Sequence, residues 1–101
     1  MRRRYARQLL LGEVGEAGQV RLSRAGFRAG AECDVETYAV AREYLLRAGC
    51  PEDERTGTPI EGATEHAVME LAGSASLRAP ATAILGALLA TEHIQRALEL
   101  T

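Results

Sequence analysis

Between Asp34 and Pro51 the chain spells out a helix with both ends marked. Asp34 is a good N-cap, because a short carboxylate side chain accepts from the N–H groups that open a helix. Val35, Tyr38, Ala41, Leu45 and Ala48 then recur at helical spacing on one face, until Gly49 and Pro51 end the run. The rest of the apolar stock suits the same architecture. Of 101 residues 47% are hydrophobic but only 4% aromatic, with no Trp and one Phe, so any core is built from Leu, Ala, Val and Ile. Ala and Leu lead the helix formers. These features predict an all-α fold of four to five helices, and leave open one residual strand near residues 27–31, where a Gly/Ala stretch surrounds Phe27. A chain of this length buries about 60–70% of its unfolded surface. It is one domain or less, and a second chain would add to its stability.

The remaining elements follow from breakers and periodicity. Tyr5, Ala6, Leu9 and Leu10 predict a short helix over 2–11, broken by Gly12 and Gly15. Glu16 to Ala25 reads as a second, with Val20 and Leu22 inward. Residues 51–60 combine charge, Gly57 and two prolines and are expected to form an exposed loop. Glu61 to Ala72 reads as a helix with Ala63, Ala67, Val68 and Leu71 apolar. The last segment, Leu77 to Leu98, places Pro80 in a first helical turn. Ile84, Leu85, Leu88, Ala90, Ile94 and Leu98 supply its broad apolar face, and Gly86 and Ala87 thin that face enough for another helix to pack closely.

Charge and chemistry narrow the function. The net charge is −2, which argues against nucleic acid as a partner. The distribution is uneven: residues 1–28 carry seven Arg against two Glu, and residues 32–70 carry ten acids against three Arg. Such halves could attract one another within a chain or between copies, although most of these charges read as simply solvated. All twelve basic residues are Arg, and Lys and Asn are absent, which removes a Schiff-base lysine and a phosphate-loop lysine. Cys33 and Cys50 have no CxxC spacing and no nearby histidine cluster, so no metal and no cofactor is expected. Glu32 and Asp34 would raise the pKa of Cys33, and Cys50 sits at the wrong helix end for a thiolate, so both read as small structural thiols. His66 and His93 fall on separate helices and read as polar or surface residues. Asp34 reads as a cap, with Glu32, Glu36 and Glu43 solvated, and Tyr38 and Tyr44 as core and core-edge. The apolar stretch from Ala79 to Ala90 is too short to cross a bilayer, and no secretory leader is recognisable, so a cytoplasmic location is expected.

Two separated segments carry a family resemblance. Arg4-Tyr5-Ala6-Arg7-Gln8, with the residues that follow to Ala25, resembles the opening arm of the ubiquitin-activating-type adenylyltransferases, the ThiF/MoeB/HesA group. Ala79-Pro80, Gly86, Glu92 and Ile94 are similar to an A-P-x-x-x-x-x-G-x-x-x-x-x-E-x-I pattern on that group's C-terminal helix. Between them the family's G-x-G-G-x-G loop is missing. Gly30-Ala31-Glu32-Cys33-Asp34 stands there instead, and puts acids where ATP phosphates would lie. The family's phosphate lysine, its metal-binding Asp and its CxxC pairs have no counterpart.

What the resemblance implies is a degenerate relative that keeps partner-facing segments and has lost its chemistry. Residues 1–25 would be a crossover arm, 26–50 an eroded first strand–helix unit, 51–60 the loop and 61–101 the C-terminal helices of one small intertwined domain. No catalytic residue is expected. The function implied is a non-catalytic interaction or dimerisation module, forming a homodimer or docking on a full-length ThiF/MoeB-like protein through Tyr5, Leu9, Leu10, Ile84, Leu85, Leu88 and Ile94. The alternative is an accessory subunit for adenylation of a ubiquitin-like sulfur carrier, with Arg7 reaching in trans to the ATP phosphates of its partner.

Overall fold

A computed structural model describes residues 15–99 of the chain. Arg7, Tyr5, Leu9, Leu10 and the helix expected over 2–11 lie outside the described residues. Within them the order is α1 (Glu16–Ser23), β1 (Phe27–Ala29), α2 (Val35–Ala48), β2 (Thr58–Ile60), α3 (Glu65–Ala72), a 3-10 turn (Ala75–Leu77) and α4 (Arg78–Glu99). The protein is therefore mostly helical, as its composition dictates.

Helix α2 forms as its sequence predicts. The Asp34 carboxylate accepts from the Thr37 N–H at 3.0 Å, and Gly49 closes the other end at φ 102°, a left-handed conformation that favours glycine. Ala41 and Leu45 are buried, while Val35, as first residue of the helix, is left 81% exposed. Helix α3 starts at Glu65, four residues later than expected, because the Thr64 hydroxyl caps it by accepting from the Ala67 N–H at 3.1 Å. Its buried residues are Val68 and Ala72, and Leu71 faces solvent. In α1 only Leu22 turns inward; Val20 does not.

The structure departs from expectation at residues 51–60. β2 lies here, paired in parallel with β1 in the register Phe27↔Thr58, Arg28↔Pro59 and Ala29↔Ile60. On its other side Phe27 donates to the Pro51 carbonyl at 3.0 Å and accepts from the Asp53 N–H at 2.8 Å. Strand β1 is thus flanked by two stretches of a segment that reads as loop, and Ile60 is buried in the core. A three-residue strand containing proline carries almost no periodicity, and Pro59 is tolerated because it takes an edge position. Gly57 makes the close approach possible: a Cβ there would meet the Phe27 carbonyl oxygen at 2.7 Å. The strand left open near residues 27–31 is present, with a second strand that the helical reading did not include.

The main core joins Leu22, Phe27, Ala41, Leu45, Cys50, Ile60, Ala90, Ile94 and Leu98. A smaller cluster of Val68, Ala72 and Ala81, with Leu85 against it, fixes α3 on α4. Helices α2 and α4 meet at Gly86, where a Cβ would run into the Val40 side chain and come within 2.9 Å of the Thr37 carbonyl oxygen. The glycine expected to thin the α4 face does so, and the helix it admits is the chain's own α2.

Candidate functional site

The N-terminus of α2 follows a strand and a turn, the place where an open α/β unit would receive a phosphate. A carboxylate of the chain holds it. Asp34 Oδ2 accepts from the Thr37 N–H and from Thr37 Oγ1, both at 3.0 Å, and Arg78 NH2 lies 2.6 Å from Asp34 Oδ1. Arg78 also reaches Glu36 at 3.0 Å, and its NH1 lies 3.9 Å from Glu65. Burial alone would push the Asp34 pKa up, but the Thr37 hydrogen bonds and the guanidinium outweigh it and hold the carboxyl below its ordinary value. The cavity beside it, about 380 Å³, is lined by Glu32, Asp34, Glu36 and Glu65 against the single Arg78. Such a site repels an oxyanion. It works as a clamp from the start of α4 to the start of α2.

Arg78 is the residue that sequence reasoning missed here. A cation in the first turn of a helix opposes the helix dipole and needs an acidic neighbour to hold it. That mismatch was the available signal.

None of the other candidates for chemistry among the described residues is activated. Cys33 is partly buried, and burial, followed by Asp34 and Glu61, pushes its thiol pKa up. Cys50 is buried in the core, and burial raises its pKa to about 11. The thiolate is scarce at both, which makes them poor nucleophiles. His66 is a surface residue 3.0 Å from Glu70. His93 is buried and its Nε2 lies 2.8 Å from the Ala25 carbonyl oxygen; since that oxygen can only accept, Nε2 carries the proton. Its ring meets Phe27 edge-on. Tyr38 donates to Glu52, which also accepts from Arg42 at 2.9 Å; burial, then Glu52, raises the phenol pKa. Tyr44 is exposed, farther out than core-edge. Among the described residues no group of three or more His, Cys, Asp or Glu could hold a metal ion, and no helix is long and apolar enough to cross a membrane.

The residues expected at an interface divide. Ile94 is buried in the chain's own core, and Leu85 is half-buried against the α3 cluster. Ile84 and Leu88 stand apart, 53% and 60% exposed, four residues apart and therefore on one face of α4. Leu77, in the 3-10 turn just before α4, is 53% exposed. Comparison with family models, with curated proteins and with solved structures found no match.

Proposed function

We propose that the protein is a non-catalytic interaction module, a worn relative of the ThiF/MoeB-type adenylyltransferases, and that α4 is the face through which it pairs with a second copy of itself. The observation that carries this reading is the exposed apolar pair Ile84 and Leu88 on one face of α4, with Leu77 exposed in the 3-10 turn that leads into it. Single exposed apolar residues need no explanation, but large ones adjacent on one helix face are what association covers. Ile84 and Leu88 lie near the middle of the 22-residue helix. A two-fold axis passing there sets the face against itself, as an isologous contact requires.

Two features support the rest of the reading. The β1–α2–β2 order, with parallel strands, is what an eroded nucleotide-binding unit would leave. The Asp34–Arg78 clamp fills the position a nucleotide phosphate would need, which favours an interaction role over adenylation.

The test is Leu88→Glu. Because Leu88 is exposed, this variant should keep the helical circular dichroism of the native chain while its mass in solution falls to 10.9 kDa. Unchanged association of the folded variant would remove α4 as the interface.

The arm Arg4-Tyr5-Ala6-Arg7-Gln8 favours a second reading, in which Arg7 completes the ATP site of a full-length adenylyltransferase that acts on a ubiquitin-like sulfur carrier. ATP–pyrophosphate exchange that depends on both chains, and that Arg7→Ala abolishes, would support it. Exchange indifferent to this chain would end it.

A further inference from the structure

Two adjoining cavities of about 310 and 500 Å³ share Thr58, His93 and Arg96. The larger lies between the end of α1, the turn that enters β2 and the last turns of α4. Arg21, Arg24 and Arg96 line it, with Thr56 and Thr58, and among the described residues no carboxylate does. In a chain of net charge −2, three guanidiniums around one hollow are a local reversal of sign.

Their existing contacts leave them available. Arg24 is exposed, and its side chain makes no hydrogen bond or ion pair with a described residue. Arg96 pairs with Glu92 at 2.6 Å, but both side chains are largely exposed, and such surface pairs hold weakly and exchange readily. Arg21 gives one N–H to the Leu98 carbonyl at 3.1 Å and retains its other donors. His93 is a fixed wall, tied to the Ala25 carbonyl.

We infer that this cavity binds a small organic phosphate monoester. Guanidinium forks match phosphate oxygens two at a time, and several of them around one site suit a dianion better than the single charge of a carboxylate. The volume falls in the range of small-molecule pockets, larger than a bare phosphate fills. Ala25, Gly26 and Ala97 give the organic body an uncharged wall. Gly26 and Thr58 stand at the starts of the two parallel strands, the end opposite to the turn that leads into α2. The site is therefore distinct from the place where an ancestral nucleotide would have sat.

Titrating the isotope-labelled full chain with phenyl phosphate, inorganic phosphate and benzoate, followed by amide chemical shifts, tests this. Phenyl phosphate should give saturable shifts at Gly26, Thr56, Thr58 and His93 by about 10 mM. Inorganic phosphate should bind more weakly and benzoate more weakly still. Arg24→Ala and Arg96→Ala, both at exposed positions, should each weaken phenyl phosphate about tenfold; Arg47→Ala, on the outer face of α2, should not. No saturable shift, equal binding of benzoate or of inorganic phosphate, or an equal loss in Arg47→Ala would overturn the inference.

Discussion

Asp34 and Arg78 stand 44 positions apart and hold the chain together with one carboxylate and one guanidinium. Asp34 caps α2 and also neutralises an arginine that the first turn of α4 does not favour. Replacing it with Ala removes the cap and leaves Arg78 with the exposed carboxylates of Glu36 and Glu65 and the Met69 sulfur. The loss expected from the cap is about 1–2 kcal/mol, or roughly 5–15 °C in Tm for a domain of this size; thermal unfolding followed by circular dichroism checks it. The pH dependence has a definite sign. The folded carboxyl titrates below its ordinary value of 3.8. Its contribution is therefore fully present above that value and is lost as the pH falls through the folded pKa. Asp34→Asn keeps a capping side chain but has no charge to lose, so its stability should fall less steeply below about pH 4 than that of the native chain. A second outcome at this scale concerns the thiols. With Cys50 buried and its pKa near 11, a thiol reagent at mildly alkaline pH should modify Cys33 slowly in the folded protein and reach Cys50 only on unfolding.

At the scale of elements, helices α2 and α4 are positioned by a glycine. A methyl at Gly86 meets the stiff Cβ of Val40 and the Thr37 carbonyl, so the helices must separate. Overpacking of this kind costs about 1–3 kcal/mol, against roughly 1 kcal/mol gained from the better helix propensity of alanine. Gly86→Ala should therefore destabilise by up to about 2 kcal/mol in chemical denaturation, whereas on an exposed helix face the same change would stabilise. The caps at Asp34 and Gly49, the proline in the first turn of α4 and the close packing at Gly86 were all legible in the sequence, because each is a local signal with a local cause. The parallel strands were not. Three residues containing a proline have no period to read, and β2 exists because Gly57 lets the chain run against Phe27, a contact 30 positions distant. The Asp34–Arg78 clamp was half legible: Asp34 announced itself as a cap, but its partner is set by the folding of α4 onto α2. Likewise Ile94 and Ile84 sit on the same apolar stretch, and only the packing decides that one is core and the other surface.

Over the whole molecule, the small alanine-rich core and the uncovered face of α4 point the same way. A chain this short keeps little stability in reserve, and covering Leu77, Ile84 and Leu88 in a dimer would add to it. Association would then tie stability to concentration. The direct measurement is the mass of the purified chain in solution by size exclusion with light scattering, over roughly a hundredfold range of concentration, since linkage makes that range diagnostic. Pairing through α4 predicts a mass twice the 10.9 kDa of one chain, falling only at the dilute end. A folded chain that remains at 10.9 kDa throughout would contradict it.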